Sequence, residues 1–423
     1  MRLLFPNLTF EEELAGHVRS PSAATRQISS ELAPLMLHLA DDEDRLITDD
    51  RLEWPRHLQH LNARTIRVAQ AARMAATSQT TPVQQFVPWG WSEVAFETAR
   101  QCGITAESKI VAAQSVARVN GRDFNAQLDP VLGAATADWP FMKDGQATFG
   151  RVCQDLAGWQ RAVDRLASGG YERVVTKPQF AHAARNRLLT GTEDLNTQQR
   201  SWVLKQLQTP GMVYVEPWVD VQHQAGLQFQ IEVRASDSAA ADISIVARTG
   251  LLTDRGGRYR GTLLWPHPVS ADCELMRAFD DEWEDSVSFG AEVCRLAFEA
   301  GYRGPLGIDA FSFRTPDGTS GCRPCNDINA RWTMGRVAVA LRRHCTSDET
   351  AIWLHAEVRQ IESILPSGLN SSGQPEDGDV RAIGTSPRQV NGRPVNTGSV
   401  LIAAKNPTAA VELAELIQNA AVD

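Results

Sequence analysis

The sequence predicts a mixed α/β protein in which a smaller N-terminal α/β domain precedes a larger domain organised around a β-hairpin. The 423 residues are enough for two or three folding units of ordinary size. Residues 306–314 and 322–330 have strand patterns, and the TPDG segment at 315–318 between them supplies turn chemistry. Strand and helix patterns also alternate along the first hundred residues, which indicates a separate α/β unit there.

Composition narrows the class of partner. Of the residues, 43% are hydrophobic and 22% are charged, as in an ordinary globular protein. The formal net charge of −9 disfavours non-specific nucleic-acid binding, so we expect small-molecule or protein partners, and a homodimer remains open. No run approaches the roughly 18 apolar residues of a membrane span. Residues 1–14 also lack the pattern of a signal peptide.

The cysteines indicate a reducing compartment. Seven cysteines, an odd number spread widely over the chain, favour reduced thiols and a cytoplasmic location over a disulfide framework. Cys322 and Cys325 form a single CxxC, which lacks the further ligands that a zinc site requires. The sequence leaves the role of this pair open.

Residues 1–104 are predicted to form the N-terminal domain. Residues 2–5 and 45–48 have strand patterns, and Thr9 followed by acidic residues predicts a helix start. The segment 86–91 reads FVPWGW and leads into a helix, with Ser92 as a candidate cap. Its tryptophans have two interpretations, of which we favour packing against the next domain over a wall of the substrate site.

The hairpin carries the residues with the clearest chemical implication. If its loop is centred near Gly318, Asp309 lies opposite Asp327, with Cβ atoms roughly 5 Å apart. Asp327, Asn329 and Arg331 share one strand face, because strand side chains alternate with period two. Two carboxylates so close repel each other, and hard oxygen ligands suit Mg²⁺, so we predict a metal site at Asp309, Asp327 and Asn329. The alternative is a solvated hairpin end whose scattered charges need no cation.

Three motifs in this region, GIDAF at 307–311, NDINAR at 326–331 and TMG at 333–335, together resemble the end of the nucleotide site in the ATP-grasp superfamily. The resemblance implies an ATP-grasp fold over residues 105–423, with a small lid at about 150–220 and a large subdomain at 221–423. It also implies ATP and Mg²⁺ as cofactors, with Mn²⁺ as an alternative metal. The family usually has Glu where this chain has Asp327, and the shorter side chain leaves the number of metals open.

The activity that the resemblance implies is an ADP-forming ligase, which joins a carboxylate to an amine through an acyl phosphate. Its substrates would be small molecules of the amino-acid or peptide type. Arg331 would stabilise the acyl phosphate, because a guanidinium fork suits such an anion. Two alternatives remain: a small-molecule kinase on the same fold and a non-catalytic nucleotide-binding protein. The second is motivated by Asp327 and by the absence of glycine in residues 179–187.

The resemblance also assigns nucleotide-binding residues. Arg122 takes the place of a basic residue that reaches the phosphates, and Lys177 ends a strand at 173–178 and would bridge the phosphate and base regions. Residues 179–187 replace a glycine-rich phosphate loop, so phosphate contacts would pass to side chains. These candidates are His182, Arg185, Asn186 and Arg187. The hinge after the next strand would bind the adenine edge and, through Asp220, the ribose; its other candidates are Glu216, Trp218 and Val219.

A glycine-punctuated basic loop, RGGRYRG at 255–261, follows the strand patterns at 228–235 and 243–248. Arg258 or Arg260 would hold the acceptor's carboxylate or assist the transferred phosphoryl group, and a plain hairpin turn is the equal alternative. Beyond it, helices are expected at 281–300, 337–343, 352–364 and from Thr408 onward. Residues 367–379 are expected to be a mobile loop, and residues 380–384 and 399–403 to be strands.

Overall fold

The computed structural model describes the chain in twelve segments. They are residues 1–16, 23–77, 85–104, 113–133, 142–143, 146–147, 149–180, 186–208, 211–254, 256–265, 274–377 and 380–421.

The N-terminal part forms a four-stranded parallel sheet with helices around it. The strand order is β4-β2-β1-β5, and the buried apolar residues of β1 occupy its middle. Ser92 caps the helix after β5 by accepting a hydrogen bond from the Ala95 backbone at 3.2 Å, as the sequence predicts. The elements are β1 (Arg2–Phe5), α1 (Phe10–Leu14), α2 (Ala23–Leu32), a 3-10 helix (Ala33–Leu39), β2 (Arg45–Ile47), β3 (Leu52–Glu53), a second 3-10 helix (Arg56–Arg64), β4 (Thr65–Ile66), α3 (Val68–Thr77), β5 (Gln85–Pro88) and α4 (Glu93–Gln101).

The next part forms a small antiparallel sheet with its own core. The sheet order is β10-β9-β11-β8, and the fully buried Trp159 packs among aliphatic side chains beneath it. Asp155 caps α7 by accepting from the Gly158 backbone at 2.6 Å, and the chain leaves the helix at Gly169. The elements are α5 (Ala113–Asn120), α6 (Arg122–Gly133), β6 (Met142–Lys143), β7 (Gln146–Ala147), β8 (Arg151–Cys153), α7 (Leu156–Ser168), β9 (Arg173–Pro178), β10 (Leu188–Gly191), α8 (Thr197–Gln208) and β11 (Val213–Pro217).

The remaining part is built on a nine-stranded sheet whose neighbouring strands all run antiparallel. The order is β16-β15-β12-β13-β14-β17-β22-β19-β18. Its elements are β12 (Asp220–Arg234), β13 (Asp237–Thr253), β14 (Tyr259–Leu264), α9 (Glu274–Glu299), β15 (Gly304–Arg314), β16 (Ser320–Asn329), α10 (Met334–Leu341), a 3-10 helix (Arg342–His344), β17 (Thr350–Glu357), α11 (Val358–Ile364), a 3-10 helix (Gly368–Asn370), β18 (Ser372–Asp377), β19 (Val380–Gly384), β20 (Gln389–Val390), β21 (Arg393–Pro394), β22 (Thr397–Ala404) and α12 (Pro407–Asn419).

The central hairpin is formed as the sequence predicts. Strands β15 and β16 pair antiparallel, and Asp309 lies directly opposite Asp327. Gly318 has a φ of +84° in the connecting turn, a conformation that glycine adopts without strain. The neighbouring strand β12 pairs Gly226 with Asp309, which places Asp309 on an interior strand of the sheet, whereas Asp327 lies on the edge strand β16.

Two predictions for the C-terminal part are wrong. Residues 350–357 form strand β17 in the middle of the large sheet, and only Val358–Ile364 is helical, so the predicted helix at 352–364 begins too early. A short apolar run that is buried on both faces has no periodicity to distinguish a strand from a helix. Residues 367–379, for which the sequence predicts a loop, contain a 3-10 turn and strand β18, which extends the sheet edge.

The N-terminal part packs on the large sheet in one continuous core. Leu4 and Phe10 belong to the same buried cluster as Leu227 and Ile308 of the large sheet. Strand β3 pairs with β20 near the C-terminus. Because of this packing, α1, α2 and the loop after β5 lie against the face of the large sheet that carries the acidic pair, where they can line a common cavity.

Candidate functional site

The candidate site is a cavity of about 1290 Å³ at the junction of the three parts. The small sheet contributes Lys177 and Glu216, the central hairpin contributes Asp309 and Asp327, and the N-terminal part contributes Trp89. Ligand sites usually have volumes of roughly 300–1,000 Å³, so this cavity has room for more than one small molecule.

The acidic pair lies in the interior of this cavity. Asn329 Nδ2 donates to Asp309 Oδ2 at 3.2 Å, and Asp327 lies opposite Asp309 in the strand register, so the three residues that the sequence predicts as metal ligands are neighbours. Burial, and then the neighbouring carboxylate of Asp327, raise the pKa of Asp309 to about 6. This site would therefore gain stability from a cation, since a positive charge would offset the repulsion between the carboxylates.

Two cationic side chains from different elements converge on Asp327. Arg122 Nε, at the start of α6, lies 3.3 Å from Asp327 Oδ1, and Lys177 Nζ, near the end of β9, lies 3.6 Å from Asp327 Oδ2. Lys177 Nζ is also 2.5 Å from Glu216 Oε1 of β11. Lys177 and Glu216 meet because β9 and β11 are paired neighbours, with Tyr214 opposite Lys177.

The charges around Asp327 determine its protonation. Burial alone would raise the pKa of Asp327, but Arg122 and Lys177 overcome this effect and hold the pKa below its ordinary value. Asp327 is therefore ionised at neutral pH beside the more basic Asp309. Arg122 is anchored as well, because its Nη1 donates to the Pro178 carbonyl at 2.9 Å.

The donor set fits a magnesium ion with phosphate co-ligands. Among the described residues, no group of three His, Cys, Asp or Glu side chains could hold a metal, so a site made wholly of such residues is not found there. Two carboxylates and the Asn329 amide oxygen are nonetheless a set that Mg²⁺ accepts, since Mg²⁺ is commonly bound by one or two carboxylates together with substrate phosphates.

Arg331 contacts a partner that the sequence does not indicate. Its Nε donates to Glu11 Oε1 of α1 at 2.6 Å, and both side chains are about nine-tenths buried. Its Nη2 donates to Asn329 Oδ1 at 2.9 Å, and its Nη1 donates to the Trp332 carbonyl at 2.9 Å. The guanidinium also lies 5.9 Å from the ring of Trp89. Glu11 could not be identified from the sequence, because it stands in an ordinary acidic first turn.

The hinge residues lie along one side of the cavity. Trp218 and Asp220 line it together with Val219, which also packs beside a cluster of three phenylalanines. The Arg187 guanidinium lies 4.9 Å from the ring of Trp218, and it donates to the Gly256 carbonyl across the cavity mouth. Arg187 therefore bridges the small sheet and the β13–β14 turn.

The basic loop is a hairpin turn that also faces the cavity. It connects β13 to β14, and Asp254 accepts backbone hydrogen bonds from Gly256 and Arg258, each at 2.9 Å. Arg258 and Arg260 both line the cavity, and Arg260 Nη2 lies 3.2 Å from Asp254 Oδ2. The loop is thus a hairpin turn, and a role of Arg258 or Arg260 in binding the acceptor stays a prediction.

Part of the predicted phosphate loop lies outside the described residues, including His182 and Arg185. Asn186 is described, and it is exposed with a φ of +50°. Asparagine tolerates this left-handed conformation better than most residues, so positive φ occurs here without a glycine.

Sequence comparison gives no match, since neither a family model nor a curated protein matches this chain. Among solved structures, the ADP complex of PurK, an N5-carboxyaminoimidazole ribonucleotide synthetase, is similar with a TM-score of 0.53 and 10% identity, over 98% of this chain and 95% of its own. The N5-carboxyaminoimidazole ribonucleotide synthetase from Thermus thermophilus has a TM-score of 0.52 and 11% identity, over 100% of this chain and 99% of its own.

A biotin carboxylase domain is similar to the same extent. The domain of the Hydrogenobacter thermophilus 2-oxoglutarate carboxylase, in complex with MgADP, ADP and bicarbonate, has a TM-score of 0.52 and 11% identity, over 97% of this chain and 88% of its own. These neighbours belong to the ATP-grasp family, and the chain has the ATP-grasp fold preceded by an N-terminal α/β part. The predicted fold class is confirmed. No described helix is long and apolar enough to cross a membrane.

Proposed function

We propose that this chain is an ADP-forming ligase that joins a carboxylate to an amine, with ATP bound between the small sheet and the large sheet. The observation that supports this proposal is the convergence of Asp309, Asp327 and Asn329 with Lys177 and Arg122 in one cavity. Acidic oxygens for a metal and cations for phosphates are the two parts that phosphoryl transfer requires. The solved ATP-grasp structures in complex with ADP or MgADP support the same assignment.

In the proposed reaction, a substrate carboxylate oxygen attacks the γ-phosphorus of ATP, the bond to the β-phosphate oxygen breaks and ADP leaves. The amine then attacks the acyl carbon, the amide bond forms, and inorganic phosphate and a proton are released. Asp309, Asp327 and Asn329 would hold Mg²⁺, or alternatively Mn²⁺, which would neutralise charge on the phosphate oxygens.

Lys177 and Arg122 would position the phosphates, since both cations already lie within 4 Å of the carboxylate of Asp327, one of the proposed metal ligands. Their distances to Asp327 place positive charge beside the metal ligands without a large rearrangement. Glu216, Trp218, Val219 and Asp220 would hold the base and ribose. Arg187 on the Trp218 ring would cover this end of the nucleotide.

Arg331 would stabilise the acyl phosphate. Three of its hydrogen bonds are already made to protein atoms, and one N–H on each Nη remains to donate to an anion. A guanidinium that is fixed in this way loses little orientational freedom when charge develops near it. Arg258 or Arg260 would hold a substrate carboxylate from the cavity rim.

The proposal is tested by measuring ADP release from Mg-ATP with a panel of carboxylates and amines. We expect ADP release to require the carboxylate, and hydroxylamine to trap the acyl phosphate as a hydroxamate when the amine is omitted. ADP formation with a phosphorylated alcohol as product would instead identify a kinase. Nucleotide binding with no turnover over the whole panel would contradict a catalytic role.

A further inference from the structure

We propose that one wall of the cavity binds a large apolar side chain, so that the ligase acts on an amino acid residue with an aliphatic or aromatic side chain; this inference rests on the proposed function. We call this surface the apolar wall. It consists of Ile28, Leu32, Trp89, Leu263, Trp265 and Met334.

Helix α2 presents one face to the cavity. Thr25, Ile28, Ser29 and Leu32 all line it, and their spacing of three, four and seven residues puts them on one helix face. All four are half-buried, so this face is neither part of the protein core nor open surface. A helix with its less polar stripe against an internal space is suited to covering a ligand.

The wall is continuous with the protein core. Leu32, Trp265 and Met334 are partly buried and pack against the cluster that contains Trp89 and Leu263. The elements that carry these residues also contact one another, since α10 packs against both β14 and the 3-10 helix that follows α2. Half-buried apolar side chains that face a cavity are stabilised when an apolar group displaces the water from them.

The apolar wall itself carries no charge. None of the six residues of the apolar wall can be charged, and the lysine and arginine residues that line the described cavity come from α6, β9, the β13–β14 hairpin and the segments around Arg187 and Arg331. A phosphorylated group placed against this wall would receive no hydrogen bond from a charged side chain of the wall itself; the Arg331 guanidinium lies at its edge, 5.9 Å from the Trp89 ring. The wall therefore favours an apolar group over the phosphate of a nucleotide-like substrate.

Polar groups for the rest of such a substrate are next to the wall. Trp89 borders the pair formed by Glu11 and Arg331, which are 2.6 Å apart, and the Arg331 guanidinium lies 5.9 Å from its ring. A carboxylate and a guanidinium beside an apolar surface match the amine, carboxylate and side chain of an amino acid. The volume of about 1290 Å³ leaves space for this molecule beside a nucleotide.

The experiment is calorimetric titration of the protein saturated with MgADP, using matched apolar and polar probes. The apolar probes are L-leucine, L-phenylalanine and the dipeptide Leu-Phe; the polar probes are L-glutamate, L-lysine, the dipeptide Glu-Lys and ribose 5-phosphate. We expect each apolar probe to bind roughly tenfold to a hundredfold more tightly than the polar probes of the same length, as burial of one large side chain predicts. Comparison of the free amino acids with the dipeptides shows whether the wall binds a single amino acid or the end of a peptide.

Two variants of α2 provide the structural test. Ile28→Asp adds a charge to the wall and should abolish the preference for apolar probes, whereas Ala23→Asp adds the same charge at an exposed position on the opposite side of the same helix and should not. Trp265→Ala, which removes area without adding charge, should weaken the apolar probes alone. Melting curves show whether each variant is folded.

The outcomes separate this inference from the proposed function. If MgADP binds but the polar probes bind as tightly as the apolar ones, or no probe binds, the inference is wrong and the nucleotide site stands. If MgADP does not bind, the proposed function fails. The probes are then titrated without nucleotide, because their binding to the apolar wall does not require one. Equal effects of Ile28→Asp and Ala23→Asp would also overturn the inference.

Discussion

Replacement of Arg331 by Ala should reduce both stability and turnover, for different physical reasons. In the folded chain, Arg331 donates to Glu11, to Asn329 and to the Trp332 carbonyl. Its removal leaves the carboxylate of Glu11 in a site where it is only 7% exposed. Breaking a buried, hydrogen-bonded ion pair costs roughly 3 kcal/mol of the free energy of unfolding.

The loss in rate has a separate source and a similar size. In the proposed mechanism, the acyl phosphate exists only after phosphoryl transfer, so a contact with it raises turnover without tightening the binding of Mg-ATP. Loss of one donor at such an anion costs about 3 kcal/mol, or roughly a hundredfold in rate. Arg331→Lys keeps the charge but loses the fork, so it should not restore turnover.

Two matched variants separate the roles. Glu11→Gln removes the ion pair but keeps Arg331, so it should lower the free energy of unfolding with a far smaller loss of rate. Arg295→Ala removes ion pairs of the same type between exposed side chains, to Glu292 at 2.6 Å and to Glu299, and should change the stability by less than about 1 kcal/mol. The measurements are denaturant unfolding, Mg-ATP affinity and ADP release at saturating substrate. If stability falls while the saturated rate holds, the catalytic role of Arg331 is wrong.

Three further predictions follow from the site and the core. Lys177→Ala should weaken ATP binding roughly thirtyfold in calorimetry, from the loss of about 2 kcal/mol of charge-assisted contact, whereas the exposed Lys205→Ala should not; equal affinities would exclude this role. Asp327→Ala should abolish Mg²⁺-dependent ADP formation in a folded protein, as should Asn329→Ala, and an active variant would remove the metal assignment. Burial lowers the pKa of His38 to about 4, against about 6.5 in an unfolded chain, so its neutral form is favoured by folding. The contribution of His38 to the free energy of unfolding is therefore complete above pH 6.5, and about 3 kcal/mol of it is lost as the pH falls toward 4. His38→Gln should flatten this part of the plot of unfolding free energy against pH. A plot that the substitution leaves unchanged would show that His38 does not cause this loss.

The hairpin can be predicted from the sequence because the residues that determine it are close together along the chain. Turn residues at 315–318 and the alternation of β16 determine that Asp309 lies opposite Asp327, and the structure has this register. The strand that ends in Lys177 and the cap at Ser92 are local in the same sense. Strand β17 was missed for a physical reason. Its apolar residues are buried by neighbours far away in sequence, and such a run has no period that distinguishes the two structures.

The long-range contacts of the site were beyond sequence reasoning. The sequence placed Arg331 on the hairpin but could not pair it with Glu11, which is 320 residues away. The cavity face of α2 is likewise invisible in the sequence, because the helix is amphipathic in the way of any surface helix.

The ion pairs of the site imply that metal and nucleotide bind as a unit. Lys177 lies between Glu216 and Asp327, at 2.5 and 3.6 Å, and Arg122 lies 3.3 Å from Asp327, so each cation has an acidic neighbour before any phosphate arrives. A triphosphate must share these cations. The negative charges of Asp309 and Asp327 would then be less well neutralised unless a metal ion binds these carboxylates. Because coupling between two ligands is reciprocal, Mg²⁺ should tighten ATP binding by the same factor by which ATP tightens Mg²⁺ binding. Calorimetry of ATP with Mg²⁺ and with EDTA measures this factor, and equal affinities would show that the carboxylates do not hold the metal.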